Sequence, residues 1–230
     1  MAVTVADIVN NAKRVLQEVT ADGTRWTNDE LAGWLNEFYQ AAVGLKPDVS
    51  TVNEELALAA GTKQAIPATG LRLIDVIRNT SGKMTGISVT TRKSLDTIRR
   101  AWHSDPASSR IEQYVFEDLD PKVFYVYPPA EAGATVEILY STVPAPHDLT
   151  TGWETYSLEP FKLNDAHAPA ATDYLLYRAF SKDAETPQNL NRSRMHFQNY
   201  AQQLTGKRQA DQAYSPNAPD TSANPPRGNA

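Results

Sequence analysis

The sequence contains no cysteine, so disulfides and thiolate metal sites are impossible and the fold must rest on packing or on partners. It also lacks a long hydrophobic run, since no stretch approaches the length of a transmembrane helix. Residues 1–16 include Asp7, Lys13 and Arg14, which interrupt the continuous apolar core that a signal peptide needs. These absences predict a soluble protein that is made in a cytoplasm.

An excess of basic charge is missing as well. The formal net charge is −5, which excludes the strongly basic balance of a protein that grips nucleic acid through many phosphates. A protein that surrounds DNA without gripping it stays compatible with this charge, because a mildly acidic wall repels phosphates. Hydrophobic residues make up 41% of the 230 residues, enough for the core of one domain or two small ones.

The N-terminal part, residues 1–53, predicts two helices. The first covers residues 5–19 and begins at a capping box formed by Thr4 and Asp7. The second begins at the T-x-x-E box that starts with Thr27. Both segments carry apolar side chains at helical spacing, so each should have one buried face.

The C-terminal part, residues 164–208, predicts a second pair of helices. The third helix covers residues 166–184, and the fourth runs to Leu204 and stops at Gly206. Amphipathic stripes need partner surfaces, so we expect both pairs to pack as one four-helix body. The residues expected to be largely buried there are Trp34, Phe38, Leu175 and Phe180.

Residues 54–145 predict an antiparallel β-rich module inserted between the helical pairs. Strands at 56–60 and 63–66 flank Gly61 and predict a hairpin. The other predicted elements are strands at 71–78 and 87–91, a short helix at 95–102 capped by Ser94, and an antiparallel meander of strands at 111–116, 123–127 and 135–142. An irregular connection, residues 146–163, precedes the C-terminal helices. The predicted fold class is therefore α+β.

Residues 209–230 predict an extended C-terminal arm. They are rich in Pro, Asn, Ala, Asp and Ser, a composition typical of a segment that orders only against a partner. The candidate partner-binding residues are one tyrosine, four prolines and one arginine: Tyr214, Pro216, Pro219, Pro225, Pro226 and Arg227.

No group of residues has the spacing of a catalytic, cofactor or metal site. The histidines, which we expect at the surface or rim because none lies in a metal-binding frame, are His103, His147, His167 and His196. One acidic cluster could bind a cation through its carboxylates, but an ordinary turn is the favoured interpretation. Its residues are Glu117, Asp118 and Asp120. The carboxylates weighed as a glycosidase pair are Asp148, Glu154 and Glu159. The glycines around Lys83 lack the phosphate-loop spacing. The sequence predicts no enzyme.

Two clusters suggest contact surfaces. The dense basic cluster, which could touch a nucleic-acid backbone but is favoured as a solvated or salt-bridging face, is Arg92, Lys93, Arg99 and Arg100. The alternating aromatics, which could stack a sugar but more often are half core and half interface, are Tyr114, Phe116, Phe124, Tyr125 and Tyr127.

Four stretches, taken in order, resemble phage head-to-tail adaptor (connector) proteins. They are W-T-x-x-E-L-x-x-W-L-N at residues 26–36, E-L-A-L with G-T-K-Q-A-I-P at 55–67, L-I-D-V-I-R-N at 73–79 and D-Y-L-L-Y-R-A-F-S-K-D-A at 173–184. The similarity covers most of residues 5–205.

The resemblance implies a structural virion protein at the neck, which joins the capsid to the tail. Its subunits form a ring, commonly a dodecamer, docked below the portal protein. The helices form the ring body, the β-module faces a downstream tail or nozzle protein, and the C-terminal arm reaches the portal. Genomic DNA passes through the lumen without sequence-specific binding, no membrane is involved, and assembly takes place in the host cytoplasm. Two other classes stay open: a tail structural protein with a receptor- or carbohydrate-binding β-module, and a small hydrolase using the carboxylates of the irregular connection.

Overall fold

The computed structural model describes residues 2–213, with side chains for residues 2–206. Its α-helices are α1 (Val5–Leu16), α2 (Asn28–Leu45), α3 (Arg92–Ile98), α4 (Trp153–Tyr156), α5 (Ala168–Lys182) and α6 (Pro187–Ala213). Its strands are β1 (Thr51–Ala57), β2 (Gly61–Ala65), β3 (Gly70–Asn79), β4 (Ser88–Thr90), β5 (Gln113–Phe116), β6 (Val123–Ala130) and β7 (Thr135–Thr142). The fold class is α+β, as the sequence predicts.

The contacts divide the described chain into two units. The helical unit contains residues 2–35, Trp153–Pro160 and 165–213. The sandwich unit contains Asn36–Gly152 and Phe161–Asn164, so α2 contributes residues to both. Among the described residues, no helix is both long and apolar enough to cross a bilayer.

Local capping determines where α1 begins and ends. The Thr4 hydroxyl accepts from the Asp7 backbone N–H, and the Asp7 carboxylate accepts from the Thr4 N–H at 2.9 Å, which confirms the predicted capping box. The helix ends at Leu16 rather than at residue 19, because Gln17 adopts φ 57° and donates its N–H to carbonyls of the last turn. Val19 therefore lies outside the helix.

In the helical unit, α1 packs on α5 and α5 packs on α6. Lys182 of α5 reaches the Glu30 carboxylate of α2 at 2.7 Å, and the Arg178 guanidinium lies 5.7 Å from the centre of the Trp34 ring. The four side chains that the sequence predicts to be largely buried are all buried: Trp34, Phe38, Leu175 and Phe180.

Helix α6 continues to Ala213, so the predicted stop at Gly206 is wrong. A single glycine inside a helix costs only ~1 kcal/mol relative to alanine, which the surrounding residues of a long helix can offset. Residues 209–213, which the sequence assigns to the extended arm, are thus helical.

The sandwich unit contains a three-stranded sheet of order β1-β7-β3 and a four-stranded sheet of order β2-β6-β5-β4. Every pairing is antiparallel except β4 with β5. The predicted β1–β2 hairpin is wrong, because the two strands belong to different sheets. Gln64 closes the corner between them, with its side chain bonded to the backbone N–H and carbonyl of Ala59 at 2.8 Å.

The predicted meander is correct only for its first pair. Strands β5 and β6 are neighbours, but β7 lies at the centre of the other sheet. Short connections favour pairing of successive strands, but here β7 instead buries Val136, Ile138 and Tyr140 between the two sheets. Burial of β7 side chains in the core that the two sheets share outweighs the preference for pairing successive strands. The spacing of turns in the sequence does not reveal this burial.

The two sheets enclose one hydrophobic core, to which both contribute alternate side chains. Asn79 at the end of β3 connects them: its side-chain amide donates to the Ile111 carbonyl and accepts from the Ile111 N–H, both at 2.8 Å. Since Asn79 is buried, these bonds are shielded from water.

The outer face of the four-stranded sheet is covered by α3 and the following 3₁₀ turn, Trp102–Ser104. Trp102 is fully buried and meets the rings of Tyr125 and Tyr127 edge-on. Helix α3 begins at Arg92 rather than at Leu95, because its cap is Thr91, whose hydroxyl accepts from the Ser94 N–H. The predicted Ser94 cap is therefore wrong by one turn.

Candidate interaction site

The histidines do not form a site. His147 and His167 are buried, so the expectation that all four lie at the surface or rim is wrong for these two. The His147 ring shares a 2.9 Å hydrogen bond with the Tyr39 hydroxyl, and its backbone pairs with the Asn36 side chain. His147 therefore secures the irregular connection to α2 in the sandwich unit. Among the described residues, no group of histidines and carboxylates could hold a metal ion.

The three candidate carboxylates differ in their surroundings, and Glu159, the last of them, is half-buried and accepts from the Val5 N–H through its backbone carbonyl. Asp148 caps a 3₁₀ turn by accepting from the hydroxyl and the N–H of Thr150. The Thr150 hydroxyl holds the pKa of the Asp148 carboxyl below its usual value, which is opposite to what a general acid requires. Glu154 lies exposed in the first turn of α4. Among the described side chains, none forms an ion pair or a hydrogen bond with its carboxylate.

The acidic turn is a turn, as favoured from the sequence, and its carboxylates bind arginines. Asp118 pairs with Arg72, and Glu117 pairs with Arg92 at 3.4 Å. The Asp120 N–H donates to the Glu117 carbonyl. The turn thus joins β5 to β6 and anchors α3 through Arg92.

The basic cluster lies on and just after α3. Arg92 and Arg99 are engaged with carboxylates, Arg99 with Asp105 at 2.8 Å. Lys93 and Arg100 are exposed, and neither pairs with a carboxylate among the described side chains. They place positive charge at the surface, and Ile98 beside them is 81% exposed.

The opposite charge lies on β1, an edge strand of the other sheet. Glu55 is exposed there, and Glu54 accepts from the Tyr140 hydroxyl at 3.1 Å. The neighbouring Glu137 binds Arg78 and Asn53, and the Arg78 hydrogen bond holds the pKa of the Glu137 carboxyl below its usual value. The sandwich unit therefore carries a basic surface on α3 and an acidic edge on β1.

The alternating aromatics contribute to the hydrophobic clusters, which bears out the core half of the favoured interpretation, and the interface half stays a prediction. Tyr114 and Phe124 point into the core between the sheets, while Tyr125 and Tyr127 pack against Trp102. The hydroxyl of Tyr127 also accepts from Arg99 at 2.9 Å. These contacts leave no flat row of free rings on which a sugar could stack.

The helical unit contains a groove of about 580 Å³ that no sequence motif indicates. Its principal walls are Val15 and Leu16 of α1, Trp26, Phe180 of α5, and Arg192 and Met195 of α6. The two apolar rim residues, Val15 and Met195, are 53% and 49% exposed. Exposed apolar side chains beside buried aromatic ones are typical of a surface that a partner covers.

Ion pairs and ring contacts hold the groove in shape. Asp183 pairs with Arg25 and accepts from the Asn189 side chain at 2.9 Å. The Phe180 ring is stacked with His196, which is hydrogen-bonded to Asp173 at 2.7 Å. The indole N–H of Trp26 is buried and has no acceptor among the described residues. A buried donor without an acceptor is costly, so the groove contains one unmet hydrogen bond.

The predicted partner-binding residues, Tyr214, Pro216, Pro219, Pro225, Pro226 and Arg227, lie outside the described residues. Their role therefore stays a prediction. The groove was missed because its walls come from four separated segments, and only the exposed Val15 at the end of an apolar stripe signals it.

The comparisons with known proteins give one positive result. The family model described as SU10 adaptor protein, a phage adaptor family, matches residues 3–220, almost the whole chain. No curated protein matches the chain.

Proposed function

Because the chain belongs to the SU10 adaptor protein family, we propose that it is a structural phage adaptor that joins the capsid to the tail. In this role it is a subunit of a ring at the virion neck, commonly a dodecamer, docked below the portal protein and assembled in the host cytoplasm. The observation that carries the proposal is the family match over residues 3–220. The order of the sequence stretches that resemble head-to-tail adaptors agrees with it.

A closed ring needs two different, complementary faces on each subunit. The sandwich unit offers such a pair: Lys93 and Arg100 beside α3, and Glu54 and Glu55 on the β1 edge. We assign these surfaces to the contact between neighbouring subunits. Their opposite charges would favour this register and disfavour pairing of like faces.

Charge reversal tests this contact. Lys93→Glu with Arg100→Glu should shift the purified protein from ring to monomer in a mass measurement, and adding Glu54→Lys and Glu55→Lys should restore the ring. Lys83→Glu, on an exposed turn of the same unit, is the matched control and should leave the ring intact. Rings that persist in the first variant would contradict the assignment.

The body of the ring would be the four-helix part, residues 1–53 with 164–208, and the β-module, residues 54–145, would face the downstream tail or nozzle protein. The C-terminal arm, with Tyr214 as its aromatic anchor, would reach the portal. The net charge of −5 suits a lumen through which DNA slides without sequence-specific binding.

Removal of residues 214–230 tests the portal contact. The truncated subunit should keep its melting temperature but sediment less with portal rings, because the arm would become ordered only on its partner. A sharply lowered melting temperature, or unchanged sedimentation with the portal, would contradict this role.

We propose no catalytic activity and no cofactor for this protein. Of the carboxylates that could suggest hydrolysis, Asp148 acts as a cap, Glu154 lies exposed and Glu159 is half-buried. The alternative of a tail protein with a carbohydrate-binding β-module has less support, because Tyr125 and Tyr127 pack on Trp102. Hydrolysis of a glycan that is lost in Asp148→Asn, with the fold intact, would overturn the proposal of no catalysis.

A further inference from the structure

We infer that the groove of the helical unit binds the P-x-x-P segment at residues 216–219 of a neighbouring copy of this chain. The inference rests on the proposed ring, in which that neighbour is present. It gives the proline-rich segment a receptor within the ring, while Pro225, Pro226 and Arg227 stay available to the portal.

The groove has the chemistry that recognises an extended proline segment. Trp26 and Phe180 supply aromatic walls, and Val15 and Met195 supply an apolar rim. Grooves lined by aromatic side chains bind P-x-x-P segments, since the polyproline conformation is already extended and loses little entropy on docking. A volume of about 580 Å³ accommodates side chains of this size.

Hydrogen bonding and charge are also complementary. Proline has no N–H, so the segment has more backbone carbonyl acceptors than N–H donors, and the Trp26 indole N–H is a donor without an acceptor among the described residues. The Trp26 N–H is buried, so it can donate to a carbonyl of the segment only if the side chains of the groove rim shift. Asp220 directly follows Pro219, and Arg192 lies exposed in the groove wall beside the Phe180 ring.

The length of α6 excludes the segment of the same chain. His196, the groove residue furthest along α6, precedes the helix end at Ala213 by ~26 Å of helical rise at 1.5 Å per residue. Pro219 lies only six residues beyond Ala213, a span of at most ~22 Å when fully extended. Pro216 would fall still further short, so both prolines can occupy the groove only from another chain.

The absence of cysteine allows a direct test by engineered crosslinking. Full-length protein with Met195→Cys and Ala218→Cys should form covalent multimers on mild oxidation, because a disulfide requires the two residues to be close. Leu158→Cys with Ala218→Cys is the control: Leu158 is more exposed than Met195 and lies in the same unit but outside the groove, so no ladder of multimers is expected.

The outcomes separate this inference from the proposed function. Rings of the expected mass without crosslinked multimers, or with only an intramolecular disulfide, overturn the inference and leave the adaptor function standing. Particles that contain no ring overturn the proposed function and with it this inference. A multimer ladder that disappears when Pro216 and Pro219 are both changed to alanine supports it.

Peptide binding gives a second test that does not depend on oxidation. A fluorescent peptide of residues 212–230 should bind full-length protein carrying Pro216→Ala and Pro219→Ala, whose own segment no longer competes. Val15→Arg in that protein should weaken binding at least tenfold. Leu158→Arg, at a residue 74% exposed in the same unit and outside the groove, should leave binding unchanged. Absent binding, or equal loss in both variants, overturns the inference.

Discussion

The helices and the strands of this protein are hydrogen-bonded over different distances along the chain, although both units also contain packing contacts between distant segments. In the helical unit, α1 is capped within one turn by Thr4 and Asp7, and α5 and α6 are successive helices that pack on each other. In the sandwich unit, Asn53 of β1 bonds to Glu137 of β7, 84 residues away. A change in a helix cap should therefore act locally, whereas a change in a strand of the sandwich unit should loosen strands that are distant in sequence.

The largest effect is expected where a helix loses its main buried side chain. Trp34→Ala should lower the free energy of unfolding by ~3–5 kcal/mol, because the cavity left by a buried aromatic side chain adds to the lost burial. Trp34 is only 8% exposed and also carries the Arg178 contact. Urea unfolding measures the loss, and Leu158→Ala, at an exposed site, should change it by under ~0.5 kcal/mol. A similar small change in Trp34→Ala would contradict the packing of the helical unit.

A buried polar connection in the sandwich unit should rank next. Asn79→Ala should cost ~2–3 kcal/mol, because the Ile111 N–H and carbonyl lose their buried partner. Hydrogen exchange should then rise in both β3 and the segment before β5, which would show that one side chain stabilises two distant regions. Ser109→Ala, at an exposed residue of the same unit, is the control. Faster exchange confined to β3 would weaken the contrast between the units.

A local cap should have a smaller effect. Thr4→Ala should cost ~1 kcal/mol, the usual value for loss of an N-cap side chain, with faster exchange limited to the first turn of α1. Thr155→Ala, at an exposed threonine of α4 in the same unit, should be nearly neutral. If Thr4→Ala instead raised hydrogen exchange in α5 or α6, the effect of the cap would not be local.

The smallest effect is a pH dependence at the same cap. The Thr4 backbone N–H holds the pKa of Asp7 below its usual value, so the ionised carboxylate favours the folded state. This contribution is fully present above the ordinary pKa of ~3.9 and is lost as the pH falls through the lower folded pKa. The difference in melting temperature between the natural protein and Asp7→Asn should therefore shrink from pH 6 to pH 2.5. A constant difference would contradict a role for the charge.

The same contrast explains what the sequence could predict. The beginnings of α1 and α2 were predictable because the hydroxyls of Thr4 and Thr27 accept hydrogen bonds from N–H groups only three residues further along the chain. The partners of β1 and β2 were not, since alternation identifies a strand's faces but not its neighbour in the sheet. Gly206 predicts an end of α6 that is too early, because a single glycine does not interrupt a long helix whose other residues favour it.

The candidate site divides in the same way. The basic cluster beside α3 was visible in the sequence, whereas the proline-rich arm beyond Ala213 lies outside the described residues and stays a prediction. The groove was not visible in the sequence, since Val15, Trp26, Phe180 and Met195 come together only through the packing of α1, α5 and α6. Burial of His147 was also hidden, because its partner Tyr39 is 108 residues away.

The central claim, an adaptor ring docked on a portal, is tested most directly by electron microscopy of the protein mixed with portal rings. The full-length chain should appear as a closed ring stacked coaxially on one end of the portal, and the chain without residues 214–230 should appear as rings that are separate from it. A full-length chain that stays monomeric in the presence of portal rings, with no density added to either end of the portal, would contradict the account.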